Sequence, residues 1–336
     1  MIDALAQTAY EAARRGAGLV DRSHRGRIVV SGQDRAEYLQ GLLSNDIVAL
    51  KPGGGCYAAY LTPQGRMIAD LYVYELGDLI LLTMSGDVTG TVLGKLDQFI
   101  FSEDVKLGDV TETFGQCAVI GPGAAKVLAD VVTGVSAGLL SALEEHGNVK
   151  AVFDGQPAII ARVTDTGEPG FDLFTERVQA DRVKTKLQGA GATPIDTATA
   201  DTIRIESGIP VFHRDMDEAT IPLEAGIEGR AISLTKGCYV GQEVIIRVLH
   251  RGHGRVARKL VGLVIEGRST PPAGAPIKSG DREIGHVTSA AISPTLERPI
   301  ALAYVQRDFV EPGTPVAVAD SIPAVVSALP FVPRQV

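Results

Sequence analysis

The chain has 336 residues, of which 45% are hydrophobic and 21% charged, and its formal net charge is −8. Domains usually hold about 100 to 200 residues, so this length predicts two or three domains. The averaged negative field argues against nucleic acid or anionic membranes as partners, and the apolar runs are much shorter than the roughly 20 residues of a membrane-spanning helix. Residues 3–15 predict an amphipathic helix whose acidic residues do not suit an import peptide, and we expect a cytoplasmic protein.

The three cysteines, Cys56, Cys117 and Cys238, lie far apart in the sequence. They form no CxxC pair, so neither a disulfide framework nor the usual zinc signature is indicated. An iron–sulfur cluster held by this chain alone would need four close thiolates, and the sequence lacks them. We therefore expect no resident metal. Cys117 lies in the apolar strand "CAVI", and a structural role is expected for it and for Cys56.

The first half of the chain alternates strands with helices. From Gly26, "GRIVVSG" alternates as a short strand, and "DRAEYLQGLL" follows as a helix with Asp34 as its cap. Residues 55–84 predict a series of strands joined by tight turns, and a helix and a strand follow. A strand, a glycine-rich turn and a helix come next, from residue 114. Because the apolar runs of a parallel sheet are missing, this order predicts an α+β fold.

The second half begins with two strands and two helices, and its residue pattern then changes. "PAIIARVTDTGEPGFDLFTE" predicts two strands around a turn, and helices are expected in "ERVQADRVKTKLQGAGA" and "ATADTIRIESGIP". Beyond residue 250, short alternating strands are separated by Pro and Gly at even spacing, which is typical of a small β-barrel or sandwich. We expect a domain boundary near residues 250–258.

The segment "TKGCYVGQE", residues 235–243, is the first candidate for chemistry. Lys236 is a cation close to Cys238 in sequence, and Gly237 and Gly241 suggest that the backbone turns or lies close to another part of the protein. A nearby cation and an open approach favour a reactive thiolate. A buried structural cysteine is equally compatible with these local residues.

A basic island follows at residues 247–259, "RVLHRGHGRVARK", with no acidic residue between Glu243 and Glu266. A solvated strand or loop is one interpretation, and convergent guanidinium groups that hold carboxylates or phosphates are the other. His250 and His253 have no helical periodicity and no third ligand nearby, so we expect no metal there. The cations of the island are Arg247, Arg251, Arg255, Arg258 and Lys259.

Two further charged pairs are candidates for a site. "TGEPGFD" places Glu168 and Asp172 four residues apart across a turn, which could direct one carboxylate into a cleft. In "IRIESG", Arg204 and Glu206 flank one residue of a predicted helix. Solvated surface charges, or charges paired to each other, are the alternative in both cases.

Taken in order, these segments resemble the family of the glycine-cleavage T-protein, and within it the YgfZ-type folate-binding proteins of iron–sulfur cluster metabolism. The segments shared with the superfamily are "GLVDRSHRGRIVVSG", "YLQGLLSNDI", "LTPQGRMIADLYVY", "TGEPGFDLF", "RIESGIP", "IPLEAG" and "IGHVTSAAISPTLERPIALAYV". "KGCYVGQE" resembles the YgfZ branch specifically. Its motif residues are Gly237, Tyr239, Gly241, Gln242 and Glu243, beside Lys236 and Cys238. The resemblance spans almost the whole chain.

The resemblance implies an α+β fold arranged as a three-part cloverleaf. Two ferredoxin-like α+β domains, interleaved in sequence, surround a central folate channel, and a C-terminal β-barrel follows. The expected folate-binding domain comprises residues 1–50 and 117–245, the second α+β domain is inserted at residues 51–116, and the barrel comprises residues 250–336.

The resemblance also implies residue roles. Asp172 corresponds to an acid that holds the pterin ring of tetrahydrofolate by a bidentate hydrogen bond, a suitable acceptor for adjacent N–H donors. Arg204 corresponds to an arginine near the folate, and Glu206 is a further cofactor-binding candidate. Thr91 stands where aminomethyltransferases have the aspartate that orients folate. Loss of such a proton-handling group typically costs roughly 10²- to 10⁴-fold in rate, so the sequence leaves open whether the chain is an enzyme.

These features lead us to expect a tetrahydrofolate-binding accessory protein that supports iron–sulfur cluster assembly or repair. Cys238 would be its functional thiol and Lys236 the catalytic neighbour, with iron–sulfur enzymes or assembly proteins as partners. The alternative is a folate-dependent aminomethyltransferase or demethylase that acts directly on a small-molecule donor. An RNA-facing module is a third hypothesis, which the net charge of −8 disfavours.

Intracellular folates carry polyglutamate tails, which suggests a role for the basic island. Arg247, Arg251 and Arg255 could steer such a polyanion toward the channel mouth.

Overall fold

The structure is a computed structural model that describes residues 4–250, 254–319 and 321–333. Its strands are β1 (Gly18–Asp21), β2 (Gly26–Ser31), β3 (Gly55–Leu61), β4 (Met67–Glu75), β5 (Ile80–Met84), β6 (Lys106–Asp109), β7 (Phe114–Ile120), β8 (Asn148–Phe153), β9 (Gln156–Arg162), β10 (Gly170–Glu176), β11 (Thr193–Pro194), β12 (Arg258–Ile265), β13 (Pro276–Ser279), β14 (Arg282–Ser293), β15 (Arg298–Gln306), β16 (Pro315–Val318) and β17 (Ile322–Ser327). Its α-helices are α1 (Ala4–Arg15), α2 (Arg35–Leu42), α3 (Thr89–Asp97), α4 (Ala124–Val131), α5 (Ala137–Ala142), α6 (Ala180–Gly189), α7 (Thr197–Glu206), α8 (Pro222–Ala225), α9 (Glu228–Ala231) and α10 (Gln242–His250). Within these residues, no helix has the length and apolar character needed to cross a membrane.

The first sheet has the strand order β11-β1-β7-β10-β9-β8. Its neighbouring strands are antiparallel except for the parallel pair β1–β11. Alternate residues of a strand point to opposite faces, and Val119 and Leu173 lie in an apolar core with residues of α4 and α6. The opposite face carries the polar residues Gln116 and Asp172, which share a hydrogen bond.

The second sheet is antiparallel, with the order β3-β4-β5-β2-β6. Nearly every residue of β4 is buried, because both faces of this strand are covered. Leu39 and Leu42 of α2 belong to the same core cluster, and so does Phe174 of the first sheet. The Tyr74 and Phe174 rings meet edge to face at 6.1 Å, so the two sheets pack against each other.

The C-terminal strands close into a barrel in the order β12-β15-β14-β13-β16-β17. Apolar residues such as Leu263, Ile277 and Val287 fill its interior. Ile205 of α7 packs against Leu302 of β15, which attaches the barrel to the first sheet's helical layer. The predicted α+β class with a C-terminal β-barrel is confirmed.

The strand pairing interleaves the two sheets along the chain, since β1 and β7 to β11 form one sheet and β2 to β6 the other. The predicted domains placed residues 1–50 with residues 117–245, whereas β2 pairs with β5 and β6 of the second sheet. We therefore propose to begin the second domain near Gly26 rather than at residue 51. The apolar alternation of β2 shows that it is a strand, but it does not show which sheet the strand joins.

The basic island begins in a helix, not in a strand or loop. Apolar residues of α10 recur at helical spacing, from Val244 and Ile245 to Val248 and Leu249, and Ile245 is fully buried. The basic residues of α10 lie in its last turn, where they complement the helix dipole. Arg251 and His253 lie outside the described residues.

Candidate active site

Asp172 lies at the buried interface between the two sheets, with 1% of its side chain exposed. Its Oδ2 accepts a hydrogen bond from Gln116 Nε2 at 2.9 Å, and its Oδ1 lies 3.2 Å from Arg22 Nη1. Burial raises the pKa of Asp172, and the Arg22 guanidinium opposes that rise. The carboxylate is therefore held in one orientation, in a place where water does not compete for it.

Two buried arginines determine how Asp172 is held. Arg22 also donates to both oxygens of Asp165, at 2.8 Å each, so one guanidinium holds two aspartates. Arg27 Nη1 donates to Gln116 Oε1 at 3.2 Å, which leaves the amide nitrogen of Gln116 directed at Asp172. Segments far apart in sequence thus converge on one carboxylate.

β3 and β4 present aromatic side chains to the same interface. The rings of Tyr57 and Tyr72 lie 5.2 Å apart, with the Arg230 guanidinium 5.1 Å from the first and that of Arg25 5.6 Å from the second. Tyr57 Oη donates a hydrogen bond to Asp70 Oδ2 at 2.7 Å. Burial raises the pKa of Asp70, although the hydrogen bond from Tyr57 acts in the opposite direction.

The tyrosines of the second sheet and the aspartates that face them influence each other electrostatically. Burial and then the charge of Asp165 raise the pKa of Tyr72, and burial and then the charge of Asp172 raise that of Tyr74. The His146 ring lies 5.3 Å from the Tyr72 ring. We name this group the central polar cluster. It consists of Arg22, Arg25, Tyr57, Asp70, Tyr72, Tyr74, Gln116, His146, Asp165, Asp172 and Arg230.

Several buried polar atoms in and beside the central polar cluster lack a partner. Tyr74 Oη, Thr83 Oγ1 and Arg25 Nε make no hydrogen bond within the described part of the chain. Thr83 is paired with Tyr72 across β4 and β5, so the two side chains point to the same side of the sheet. Because buried polar groups nearly always have partners, these atoms are available to water or to a polar ligand.

Lys236 is buried, and its ammonium group donates all three of its protons to backbone carbonyls. Nζ donates to the carbonyl oxygens of Gln40, Leu43 and Asn45 at 2.7, 2.6 and 2.8 Å. An ammonium has three protons, so Lys236 closes the C-terminal end of α2 and has no donor left for Cys238. Burial lowers the pKa of Lys236 to about 8.

Cys238 itself is exposed. It does not receive the hydrogen bond from Lys236 that could stabilise a thiolate, since those protons point at α2. Catalytic roles for Cys238 and Lys236 stay predictions, and the contacts of Lys236 indicate a structural role.

The remaining "KGCYVGQE" residues pack the segment against the second sheet. A Cβ on Gly241, whose φ is +87°, would lie 2.5 Å from the Thr62 carbonyl oxygen, whereas Gly237 faces open space. Tyr239 is buried with Lys236 Nζ 5.1 Å from its ring centre. Gln242 and Glu243 begin α10. The close backbone approach expected from the glycines therefore occurs at Gly241.

Arg204 and Glu206 are both buried and both have protein partners. Arg204 donates to Asp201 at 2.6 Å, to Ser289 of the barrel at 2.8 Å and also to Asp215. Glu206 accepts from Tyr10 at 2.7 Å and is also bonded to Arg14 and Ser293. These bonds fasten α7 to α1 and the barrel. The predicted cofactor-binding roles of Arg204 and Glu206 stay predictions, and their polar atoms are engaged by the protein itself.

Two other residues predicted from the sequence, Thr91 and Glu168, lie away from Asp172. Thr91 is exposed on α3. Glu168, which the sequence pairs with Asp172, instead forms a buried ion pair with Arg14. In the turn before α3, Asp87 lies 2.5 Å from His213 Nδ1. None of these residues belongs to the central polar cluster.

The basic island lies outside the central polar cluster as well. Arg247 and Arg255 are exposed, and Arg251 lies outside the described residues. A cavity of about 440 Å³ at the start of the barrel is lined by Arg255, Lys259 and Arg307, with Asp308 as its acidic residue. The described ranges contain no group of three or more His, Cys, Asp or Glu side chains placed to hold a metal ion.

Two family models match successive parts of the chain. The GCVT N-terminal domain matches residues 2–236, and the glycine cleavage T-protein C-terminal barrel domain matches residues 258–333. The chain belongs to the glycine cleavage T-protein family. The predicted superfamily is confirmed, whereas the YgfZ-type branch within it is not.

Curated relatives of this T-protein family member carry the name aminomethyltransferase. That of Rubrobacter xylanophilus is 36% identical over 327 residues, which cover 97% of this chain and 86% of the relative. That of Streptomyces coelicolor is 35% identical and covers 97% of this chain and 89% of the relative. The glycine cleavage system aminomethyltransferase T from Bartonella henselae has a similar structure, with a TM-score of 0.87, 26% identity, and coverage of 98% of this chain and 90% of that one.

These relatives correct the function expected from the sequence. The prediction of an accessory protein for iron–sulfur clusters was wrong, because relatives that match nearly the whole chain are named aminomethyltransferase. The alternative, a folate-dependent aminomethyltransferase, fits better. Iron–sulfur enzymes and assembly proteins have no support as partners. The error came from giving the short "KGCYVGQE" motif more weight than similarity along the full chain.

Reasoning from the sequence found Asp172 but missed most of the central polar cluster. One signal was available in "RMIADLYVY", where Asp70 interrupts an apolar strand, since Asp is depleted in strands. Arg22 and Arg25 lie in a connection between strands, and Arg230 lies on a four-residue helix. No local periodicity distinguishes those arginines from solvated ones.

Proposed function

We propose that this T-protein family member is a tetrahydrofolate-dependent aminomethyltransferase. The observation that carries the proposal is the buried Asp172 carboxylate, held within the central polar cluster of a chain whose relatives bear the name aminomethyltransferase. Tetrahydrofolate, the cofactor predicted from the sequence, agrees with membership of this family.

The central polar cluster suits a pterin ring. An ionised carboxylate offers about four lone-pair sites, and Gln116 and Arg22 each use one of those on Asp172. Asp172 can therefore accept two adjacent N–H groups as well. The unpartnered Tyr74 Oη and Thr83 Oγ1 would pair with further polar atoms of the ring. In this interpretation, the tyrosines of β3 and β4 provide aromatic surface for a flat heterocycle.

In the proposed reaction, tetrahydrofolate supplies the nitrogen atoms that receive the one-carbon unit. The residues of this chain bind and orient it. Arg22 and Gln116 favour the ionised form of Asp172 and direct it, and burial of Asp172 limits the water that could compete for the carbon unit. The donor that we propose is an aminomethyl group of the kind handled by a glycine cleavage system, the system named for the Bartonella henselae relative.

Turnover by the purified protein is the direct test. The protein would be incubated with tetrahydrofolate and aminomethyl or methylamine-type donors, and one-carbon-substituted folate and released amine would be quantified by mass spectrometry. We expect formation of both above the rate without protein. Tight binding of tetrahydrofolate without turnover of any donor would contradict the proposal. A cytoplasmic location is a further proposal that this assay leaves aside.

A second proposal concerns the tail of the folate. The cavity lined by Arg255, Lys259 and Arg307 has an excess of positive charge in a protein of net charge −8, and it suits the carboxylates of a polyglutamate chain. Arg247, which is exposed in the last turn of α10, would add to the positive charge of the basic island.

Folates that differ in the length of their polyglutamate tail test whether the cavity binds that tail. Pentaglutamylated tetrahydrofolate is expected to bind more tightly than the monoglutamate at low salt, and this preference should shrink in a Lys259→Gln, Arg307→Gln double variant. Arg298→Gln, which removes an exposed arginine elsewhere on the barrel, is the matched control. Equal affinities of the two folates for the wild-type protein would rule out the proposal.

A further inference from the structure

Arg25 differs from the buried arginines of the protein in having no side-chain partner. Arg22, Arg27 and Arg204 are buried, and each donates to other side chains. Arg25 is half-buried and its Nε atom is fully buried, yet its guanidinium forms no hydrogen bond and no ion pair within the described residues. Burying a charge costs free energy unless the charge is paired, so Arg25 is a cation available to an anion.

Arg230 is placed in the same way as Arg25. The Arg25 guanidinium stands over the Tyr72 ring at 5.6 Å, and the Arg230 guanidinium stands over the Tyr57 ring at 5.1 Å. The two rings are 5.2 Å apart. Arg230 also lacks an ion pair in the described part of the chain. A guanidinium that rests its face on an aromatic ring keeps the N–H groups at its edge free, and these match the two oxygens of a carboxylate.

The backbone fixes both arginines before any ligand binds. The Arg25 N–H donates to the Arg22 carbonyl at 2.9 Å, so a tight turn between β1 and β2 directs both side chains to the central polar cluster. Asn45 Nδ2 donates to the Arg230 carbonyl at 3.1 Å and to the Tyr57 carbonyl at 2.8 Å, which ties α9 to β3. Such preorganisation lowers the cost of binding a ligand.

The two guanidiniums face one region, and that region adjoins Asp172. Burial raises the pKa of Asp70, and the charges of Arg25 and Arg230 both oppose the rise. Burial also raises the pKa of Asp172, and Arg25 is among the cations that oppose it. An anion on this pair would therefore lie near the end of the cofactor that Asp172 holds, the pterin ring. The carboxylates of tetrahydrofolate are on its glutamate, at the opposite end of the molecule.

We propose that Arg25 and Arg230 form a carboxylate-binding site, and that its ligand is the donor of the one-carbon unit. The donor class is small amino acids whose nitrogen carries that unit. The arginine pair holds the carboxylate of the donor, and the nitrogen of the donor remains beside the folate ring. This inference rests on the proposed function and names the substrate class for it.

Two probes that differ in one group test the carboxylate. N-methylglycine and N-methylglycinamide share a methylamine group, and the second has an amide in place of the carboxylate. Their dissociation constants for the tetrahydrofolate-loaded protein would be measured by ligand-observed NMR titration. We expect N-methylglycine to bind about 10- to 100-fold more tightly, in line with hydrogen bonds between charged groups. Equal affinities of the wild-type protein for the two probes would overturn the inference.

Variants connect this preference to the two arginines. It should fall to about threefold or less in an Arg25→Gln, Arg230→Gln double variant. Arg25→Lys keeps the charge without the planar fork, so it should retain part of the preference. Arg298→Gln, which removes an exposed arginine of the barrel, should retain all of it. A double variant with the full preference of the wild type would also overturn the inference.

Tetrahydropteroate, which lacks the glutamate of tetrahydrofolate, separates the two sources of a carboxylate. If the double variant binds tetrahydrofolate more weakly but tetrahydropteroate as tightly as wild type, the arginines hold the folate carboxylate and the inference fails. Turnover with equal kcat/KM for donors with and without a carboxylate overturns the inference but leaves the proposed function intact. A preference for N-methylglycine in a protein that turns over no donor supports the carboxylate site and contradicts the proposed function.

Discussion

Arg22 Nη1 lies 3.2 Å from Asp172 Oδ1 in the buried interface between the two sheets. The same guanidinium holds the half-buried Asp165 by two hydrogen bonds of 2.8 Å, so a single cation compensates two carboxylates, one of them fully buried. This sharing makes Arg22 the residue on which the electrostatic balance of the central polar cluster depends.

Arg22→Met is expected to lower the free energy of unfolding by about 3 to 5 kcal/mol at pH 7, because it removes the paired cation of the buried Asp172 and of Asp165. Urea unfolding followed by circular dichroism measures the loss. The loss should shrink at lower pH as the carboxylates become protonated. Arg177→Met is the control, since Arg177 and its partner Glu112 are exposed and such pairs contribute at most about 1 kcal/mol. Equal losses in the two variants would contradict this assignment.

Asp172→Asn is expected to weaken tetrahydrofolate binding by roughly 10- to 100-fold, in line with the loss of a hydrogen bond to a charged acceptor. The asparagine keeps the shape of the side chain but presents an NH₂ group where the ring has N–H donors. Isothermal titration calorimetry measures the dissociation constant. Asp181→Asn, which changes an exposed carboxylate at the start of α6, provides the unaffected control. Unchanged binding by Asp172→Asn would remove Asp172 from the proposed site.

Lys236→Met should destabilise the protein by about 1 to 3 kcal/mol, because three carbonyls at and just after the end of α2 lose their donor. The pH dependence gives a second signature. The pKa of Lys236 is lowered to about 8 in the folded protein from an unfolded value near 10.5, so the unfolded chain binds more protons between these pH values. The contribution of Lys236 to the free energy of unfolding should therefore rise with pH across this range, and the rise should be absent in the variant. A difference between the two proteins that does not change with pH would contradict the assignment.

Gly241→Ala and Gly237→Ala form a matched pair, because both glycines lie in the "KGCYVGQE" motif of residues 236–243. Gly241 has φ +87° and contacts the Thr62 carbonyl, so its replacement should cost about 1 to 3 kcal/mol. Gly237 faces open space, and its replacement should change the free energy of unfolding by less than about 0.5 kcal/mol. Thermal unfolding measures the stability of the two variants, and equal melting temperatures would contradict the prediction.

Thiol labelling distinguishes the three cysteines. Cys238 is exposed, while Cys56 and Cys117 are buried and burial raises the pKa of each to about 12. Iodoacetamide at pH 8 should add one group to the native protein and three to the unfolded protein, as counted by intact mass spectrometry. Labelling of Cys56 or Cys117 before unfolding would show that the buried thiols are accessible.

Local patterns were enough to predict much of the architecture. The alternation after residue 250 predicted the barrel, because each strand has one face toward an apolar interior. The glycines of the "KGCYVGQE" motif predicted a close backbone approach, which Gly241 makes with the turn between β3 and β4. Asp172 was predicted through a resemblance carried by consecutive residues of β10 and of the turn before it.

Contacts between distant segments could not be predicted in the same way. Whether β2 joins the first sheet or the second depends on pairing with strands far away in sequence. The residues of β2 alone are compatible with either sheet. The proximity of Lys236 to Cys238 in sequence suggested a cation beside a thiol. In the folded chain, the lysine amine instead reaches the end of α2, almost 200 residues earlier.

The sequence by itself determined the fold class, the barrel and the family, because these depend on periodic apolar patterns and on consecutive motif residues. Only the tertiary structure decided the membership of the central polar cluster. Its charges come from strands, loops and a short helix spread between residues 22 and 230. The effect of each charge depends on burial and on distances of a few ångströms, and these exist only after the two sheets have packed together.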